Sequence, residues 1–338
     1  MKNLDTGTPP RTLFKYFLLI TLVAFFLILP LFLDAYFLHI MIMTFLFAYL
    51  SRSWDLIGGY TGQNFWGPSA IFGIGGYTST LLFFHFKLTP WLGMLIGGIL
   101  GMIVGILLCY VSSRFSVKGI YFGLATLTFS QIGMIVVLNV NAFGGVNGVL
   151  LPLIKGNSLL QFQFHGKIPY YYISFFMMVL SVYVMYRIEK SKSGYYYIAI
   201  REDEDAAQAL GVDTLKYKLI PTGIGCFFLS MGGTLHAQYL LFVNPDFFGL
   251  PFTIEMVIRS ILGGVGTLFG PIIGSFILTP LAEISRGVLG GYRGVHMMIY
   301  GVIMILFMLF LPHGVGAWFE KLYHHLERLL EGKIRFSG

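Results

Sequence analysis

From Phe17 to Leu33 no charged residue interrupts the chain, and apolar runs of the same kind recur at Ala35–Leu50, Phe65–Phe84, Leu92–Val111, Ile120–Val140, Tyr170–Tyr186, Leu219–Val243, Pro251–Leu268, Phe269–Leu281 and Val295–Leu311. A bilayer core about 30 Å thick is crossed by about 20 mostly apolar residues in helical form. Every backbone polar group in lipid must be satisfied internally, which leaves helices or closed barrels, and unbroken rather than alternating runs select helices. The pattern predicts an all-α polytopic membrane protein with about ten transmembrane helices, folded as a single transmembrane domain over residues 1–338. The first run is not a cleavable signal, because no small-x-small site follows Leu33 and Asp34-Ala35-Tyr36 leads directly into the second.

Composition sharpens this reading. The chain is 56% hydrophobic and only 11% charged, and its densest internal concentration of charge lies between Ser193 and Leu219. A net charge of +7 would suggest nucleic acid for a soluble protein; here its distribution orients the helices instead, since positive residues collect on the cytoplasmic side. With an inside amino terminus and ten spans, only Lys87, Lys155, Lys167, Arg286 and Arg293 fall outside and Arg259 falls within a span, leaving the other 16 of the 22 Lys and Arg residues inside. Arg52 is among those assigned to an inside loop. Both termini are then cytoplasmic, with residues 188–218 as a cytoplasmic loop, 313–338 as a cytoplasmic tail and Asn141–Ile168 as a long outer loop.

Catalytic chemistry has no foothold. The two Gly-Lys pairs, at Gly166-Lys167 and Gly332-Lys333, lack the preceding glycine and following Ser/Thr of a phosphate-binding loop, and there is no His-Glu-x-x-His or Gly-x-Ser-x-Gly. Cys109 and Cys226 lie in separate apolar runs and read as buried hydrophobes, with no metal expected. Glycine clusters serve close helix packing. Two of them, around Gly58–Pro68 and Gly263–Pro271, share an aromatic-Gly-Pro ending and interrupt spans; paired interruptions in two halves point to a central pathway.

Within the charged loop, Arg201–Gly211 reads as a docking helix. Glu202, Asp203, Glu204 and Asp205 are expected in its first turn, where negative charge favours the helix dipole; Ala206, Ala207 and Leu210 would form a shallow apolar patch, and Gly211 a C-cap. Glu255 and Arg259 are four apart on one expected helix, so that they can pair within the membrane; a structural pair or a snorkelling Arg259 accounts for them equally. Gly62, Gln63, Asn64 and Gln131 complete the candidates for a translocation pathway, with helix–helix hydrogen bonding as the other use of the amides.

The motifs Gly59-Tyr60-Thr61-Gly62-Gln63, Phe72-Gly73-Ile74-Gly75-Gly76-Tyr77-Thr78, Ala125-Thr126-Leu127-Thr128-Phe129, Gly144-Gly145-x-Asn147-Gly148 and Leu262-Gly263-Gly264-x-Gly266-Thr267-x-x-Gly270-Pro271 resemble the permease family of branched-chain amino-acid ABC importers, in its M-type subunit. Asp205-Ala206-Ala207-x-x-x-Gly211 resembles the EAA loop through which such permeases receive force from a separate ATPase. The resemblance implies a fold of the vitamin-B12-importer permease class in the bacterial inner membrane. It also implies an H-type partner permease, two cytoplasmic ATPases that hydrolyse the ATP, and an extracytoplasmic solute-binding protein. The chain itself would bind no cofactor and no nucleic acid, and would meet only membrane lipid and these partners. The implied substrates are leucine, isoleucine and valine; urea or short amides are the alternative within the class, and an ion-coupled secondary transporter using Glu255, Arg259 or His236 is the alternative outside it.

Overall fold

The computed structural model describes residues 23–152 and 158–289, with isolated positions 21, 156, 298, 301, 302, 305 and 309. The expected tail, 313–338, lies outside the described residues, as does most of the expected last span. Residues 23–28 are helical and run into a 3-10 turn at Leu29–Leu31. The helices that follow are α1 (Ala35–Thr61), α2 (Pro68–Phe86), α3 (Pro90–Arg114), α4 (Ile120–Asn139), α5 (Ile168–Glu189), α6 (Lys192–Glu202), α7 (Glu204–Ala209), α8 (Thr214–Leu240), α9 (Leu250–Gly263) and α10 (Gly270–Leu289). Two short strands, β1 (Val149–Leu150) and β2 (Phe242–Val243), pair antiparallel.

Proline sets many of the helix starts: α2, α3, α5 and α9 each carry one in the first turn, where the missing N–H would have had no intrahelical partner. Among the described residues five helices, α1, α3, α4, α5 and α8, are long and apolar enough to cross a membrane. This is a multi-pass membrane protein. At 1.5 Å per residue, the 27-residue α1 and α8 each reach about 40 Å, longer than the hydrocarbon core requires.

The bundle is built around α8, which packs against α1, α2 and α3. Its crossing with α2 depends on glycine: a Cβ on Gly75 would collide with the Ser230 carbonyl, and one on Gly233 with the carbonyl of Phe72. Lipid offers helices no hydrophobic gain on association, so backbone-to-backbone approach of this kind supplies the packing. Ser230 Oγ reaches across to Gly97 O of α3 at 2.6 Å, and Thr234 Oγ1 to Gly75 O at 3.0 Å.

The expected spans are not equivalent. The second does not stop at Leu50: α1 continues to Thr61 and ends where Gly62 turns left-handed at φ 67°. Residues 62–67 then double back along α1 without forming helix, held by Trp54 Nε1–H to Phe65 O at 2.6 Å and Trp66 N–H to Thr126 Oγ1 at 3.0 Å. The expected span at Pro251–Leu268 is the 14-residue α9, about 21 Å long, preceded by β2 and a 3-10 turn at Pro245–Phe248. The starts of α2 and α9 meet inside the bundle, where Ser69 Oγ–H donates to Phe248 O at 3.1 Å and Thr253 Oγ1 lies 2.8 Å from Ser69 Oγ.

This changes the pairing of the interruptions. The partner of the 62–67 break is 241–249, since each follows a 27-residue helix and precedes a helix that starts in the interior. Gly263–Pro271, expected as the partner, is a turn at the end of the bundle that also carries α6 and α7.

Candidate functional site

The segment expected as one docking helix is two. Arg201 and Glu202 close α6, and Asp203 leaves helical geometry at φ −156°, ψ 109°, where its carboxylate accepts from the backbone N–H groups of Asp205 (3.0 Å) and Ala206 (2.9 Å). This is a side-chain N-cap, of the kind that costs about 1 kcal/mol to remove. Glu204 and Asp205 occupy the first turn of α7, the favourable end of the helix dipole. The helix stops at Gly211, φ 88°, with Val212 N–H to Ala207 O at 3.1 Å and Gly211 N–H to Gln208 O at 2.9 Å. Those paired bonds are a Schellman closure, which places glycine where the sequence placed its C-cap.

Helical periodicity redistributes the expected patch. Ala207 is 3% exposed and faces inward, on the side where the Glu204 carboxylate reaches Lys218 of α8 at 2.6 Å and Lys118 at 3.6 Å. Ala206, Ala209 and Leu210 face outward, Leu210 with 87% exposure. The outer apolar surface is therefore Ala206, Ala209 and Leu210, and Ala207 is withdrawn from it. Lys118, between α3 and α4, also reaches Asp205 at 3.1 Å; that hydrogen bond and the charge of Glu204 hold its ammonium above the ordinary lysine range.

From α6, Arg201 Nη1–H donates to Gly59 O at 3.2 Å, near the end of α1. Just inside lies a junction of charges. Arg52 and Asp55, both fully buried in α1, pair at 3.0 Å. The other oxygen of Asp55 accepts from Ser260 Oγ–H (2.8 Å) and Gly266 N–H (2.9 Å). Arg52 donates to Thr267 O and to Tyr60 OH, and Tyr60 OH in turn reaches Glu189 Oε2 at 3.1 Å. Contact is tight enough that a Cβ on Gly59 would strike the Asp55 carboxylate and one on Gly266 would strike Arg201 Nη1 at 2.5 Å. The junction joins α1, the end of α5, α9 and the 264–269 turn to α6.

Arg52 is thus no loop residue. The sequence signal was present, since Arg52 and Asp55 are three apart and can pair along a helix, but a cation after an apolar run reads first as a boundary.

The pathway candidates separate into three places. Gly62, Gln63 and Asn64 share a small cavity of about 100 Å³ with Arg201, Glu204 and Lys218, so these candidates adjoin the docking segment. Gln63 itself is buried and fully engaged: its amide donates to Thr61 Oγ1 (2.8 Å), Thr222 Oγ1 (3.2 Å) and Lys218 O (3.3 Å), and its carbonyl accepts from Cys109 Sγ–H (3.2 Å). These bonds fasten the 62–67 break to α3 and α8. Asn64 is exposed. Gln131 lies half-buried on α4, away from both.

Glu255 and Arg259 form the expected i, i+4 pair at 3.4 Å. Arg259 is buried, with its guanidinium 4.0 Å from the centroid of the Phe47 ring and Nε–H on Thr279 Oγ1 at 3.1 Å. Glu255 also meets Arg286 (3.3 Å), which pairs with Glu283 (2.8 Å). His236 is buried among Phe72, Phe247 and Phe252, with ring centroids 5.1 to 5.5 Å away. Cys109 and Cys226 are buried and free, and among the described residues no group of His, Cys, Asp and Glu could hold a metal ion.

The family described as branched-chain amino acid transport system / permease component matches residues 36–308. The chain is 26% identical over 334 residues to the high-affinity branched-chain amino acid transport system permease protein LivM of Escherichia coli, covering 92% of this chain and 76% of that one. It is 25% identical over 236 residues to the probable branched-chain amino acid transport permease protein LivM of Methanocaldococcus jannaschii, covering 66% and 67%. To the probable LivH permease of the same archaeon it is 23% identical over 264 residues, covering 74% and 82%. No solved structure matches the chain.

Proposed function

Since the chain belongs to the branched-chain amino-acid transport permease family, we propose that it is the M-type membrane subunit of an ATP-driven importer that moves leucine, isoleucine and valine into the cytoplasm. Its similarity to both LivM and LivH permeases supports a related H-type chain as its partner in the membrane. Two ATPases on the cytoplasmic side and an extracytoplasmic solute-binding protein complete the assembly. The α6–α7 end is cytoplasmic, as are both termini, and the fold is that of the vitamin-B12-importer permeases. ATP is hydrolysed by the partners, so the chain carries no nucleotide and no cofactor.

One observation carries the coupling role. Helix α7 is capped at both ends, presents Ala206, Ala209 and Leu210 outward, and is tied inward through Glu204 to Lys218 on the central helix. Next to it, Arg201 ties α6 to α1 above the Arg52–Asp55 junction. A push on the outer face of α7 is received by elements anchored to α8 and α1, the two longest of the described helices. Selectivity rests with the binding protein, so the permease needs a polar route rather than a tight amino-acid site.

The test is reconstitution of the chain with its partner subunits in proteoliposomes, with candidate solutes delivered by the binding protein. Leucine, isoleucine and valine should stimulate ATP hydrolysis and urea should not. Stimulation by urea alone would transfer the chain to the amide branch of the class.

A further inference from the structure

On the α7 side of the bundle, a groove of about 620 Å³ lies between the last turn of α3 and the first turns of α8. Three cations line it, Arg114, Lys118 and Lys218, against a single carboxylate, Glu204. That carboxylate is engaged by Lys218 at 2.6 Å and Lys118 at 3.6 Å, Lys118 also pairs with Asp205 at 3.1 Å beside the groove, and Arg114 makes no ion pair among the described residues, which leaves its charge as the excess. Hydroxyls of Ser113 and Thr214 add hydrogen-bonding capacity to the wall. Excess positive charge and hydroxyl donors in a concave site match a phosphate-bearing anion.

The approach to the groove distinguishes a lipid from a free anion. Leu100, Ile103, Leu107 and Tyr110 are exposed large apolar side chains on α3, three or four residues apart and so on one helical face. Tyr110 itself lines the groove. This apolar track runs from bilayer depth directly into the charged recess. A free phosphate has no use for it, and an acidic segment of a partner protein would arrive from the aqueous side. We infer that the groove binds the headgroup of an anionic glycerophospholipid, with an acyl chain laid along α3. Basic recesses between membrane helices on the cytoplasmic side are suited to such headgroups. Because Glu204 and Lys118 also anchor α7, bound lipid would bear on the helix that receives the ATPase. The location in the inner leaflet rests on the orientation proposed above, while the binding itself does not.

The experiment uses the full chain purified in detergent and titrated with phosphatidylglycerol or phosphatidylcholine in mixed micelles, with bound lipid counted by native mass spectrometry. Phosphatidylglycerol should be retained in preference to phosphatidylcholine, and Arg114→Gln/Lys118→Gln should weaken its retention roughly tenfold or more. Millimolar inorganic phosphate should not displace the lipid. Arg114→Lys/Lys118→Arg, which keeps both charges, should bind as the parent does and guards against a folding defect in the neutral variant. Equal retention by parent and neutral variant, or displacement by inorganic phosphate, would overturn the inference. So would loss of the lipid when the ATPase subunits assemble onto the chain, because the groove would then belong to the partner protein.

Discussion

Replacing Asp55 with Ala should be far more damaging than replacing it together with Arg52. In the native chain the Asp55 carboxylate accepts from Arg52, Ser260 and Gly266, and both members of the ion pair are 0% exposed. Removing one partner leaves a guanidinium without its counter-charge at a site that water does not reach, which costs about 3–5 kcal/mol. In Arg52→Met/Asp55→Leu no charge remains to be desolvated. Ser260 Oγ–H and Gly266 N–H lose their acceptor in both variants, so that loss cancels in the comparison, and the double variant adds only the Thr267 carbonyl losing its donor, about 1–3 kcal/mol. The double variant should therefore be more stable than Asp55→Ala by roughly 2 kcal/mol, with a coupling energy of the size found for residues in direct contact. Unfolding of the purified full chain by sodium dodecyl sulfate, followed by tryptophan fluorescence, measures this, and Trp54 lies beside the pair in sequence. A double variant whose loss equals the sum of the two single losses would show that the pair is not the fastening described here.

Three further outcomes follow from the same geometry. Ala207→Trp should lower the amount of folded chain in membranes, because Ala207 is buried, whereas Ala206→Trp should insert normally and uncouple ATP hydrolysis from uptake; equal insertion of both would refute the assigned faces of α7. Gly211→Val forces a β-branched residue to φ 88° and should cost about 1–2 kcal/mol of local stability, read as earlier proteolysis of the α7 loop; an unchanged cleavage rate would contradict the closure. Cysteine probes at Ser191 and Asp213 should react from the cytoplasmic side and a probe at Asp246 from the opposite side; external labelling of Asp213 would reverse the orientation.

Apolar runs made the helical membrane class legible, because length and the absence of charge suffice to mark a span. The break at 62–67 was legible in the Gly58–Pro68 cluster of helix breakers, though not in the apolar runs themselves. Phe65–Phe84 reads as a continuous run, yet its first residues are not helical, because Gly67-Pro68 fixes the helix start at Pro68 and Trp54 captures the Phe65 carbonyl. Arg52 misled because sequence shows a cation after an apolar stretch, and only residues more than 200 positions away complete its burial: Thr267, which accepts from Arg52, and Ser260 and Gly266, which donate to its partner Asp55. The C-cap at Gly211 was readable because it is local. The inward turn of Ala207 was not, since it depends on where Lys118 and Lys218 hold α7 against the bundle. Glu255 and Arg259 pair as their spacing suggests, but Gln63 is committed to bonds that fasten the 62–67 break to Cys109 and Thr222 on two helices.

Coupling through α7 is read out by the ratio of solute moved to ATP hydrolysed. The measurement is made in proteoliposomes holding the assembled complex, with leucine uptake and phosphate release followed in the same sample for the parent chain and for Leu210→Asp. Leu210 is 87% exposed, so the change leaves the bundle intact and places a charge on the outer apolar surface. The variant should assemble to the parent level but transport little leucine per ATP, or lose leucine-stimulated hydrolysis altogether. A parent-like ratio at parent-like rates would contradict such coupling and reduce α7 to a connector.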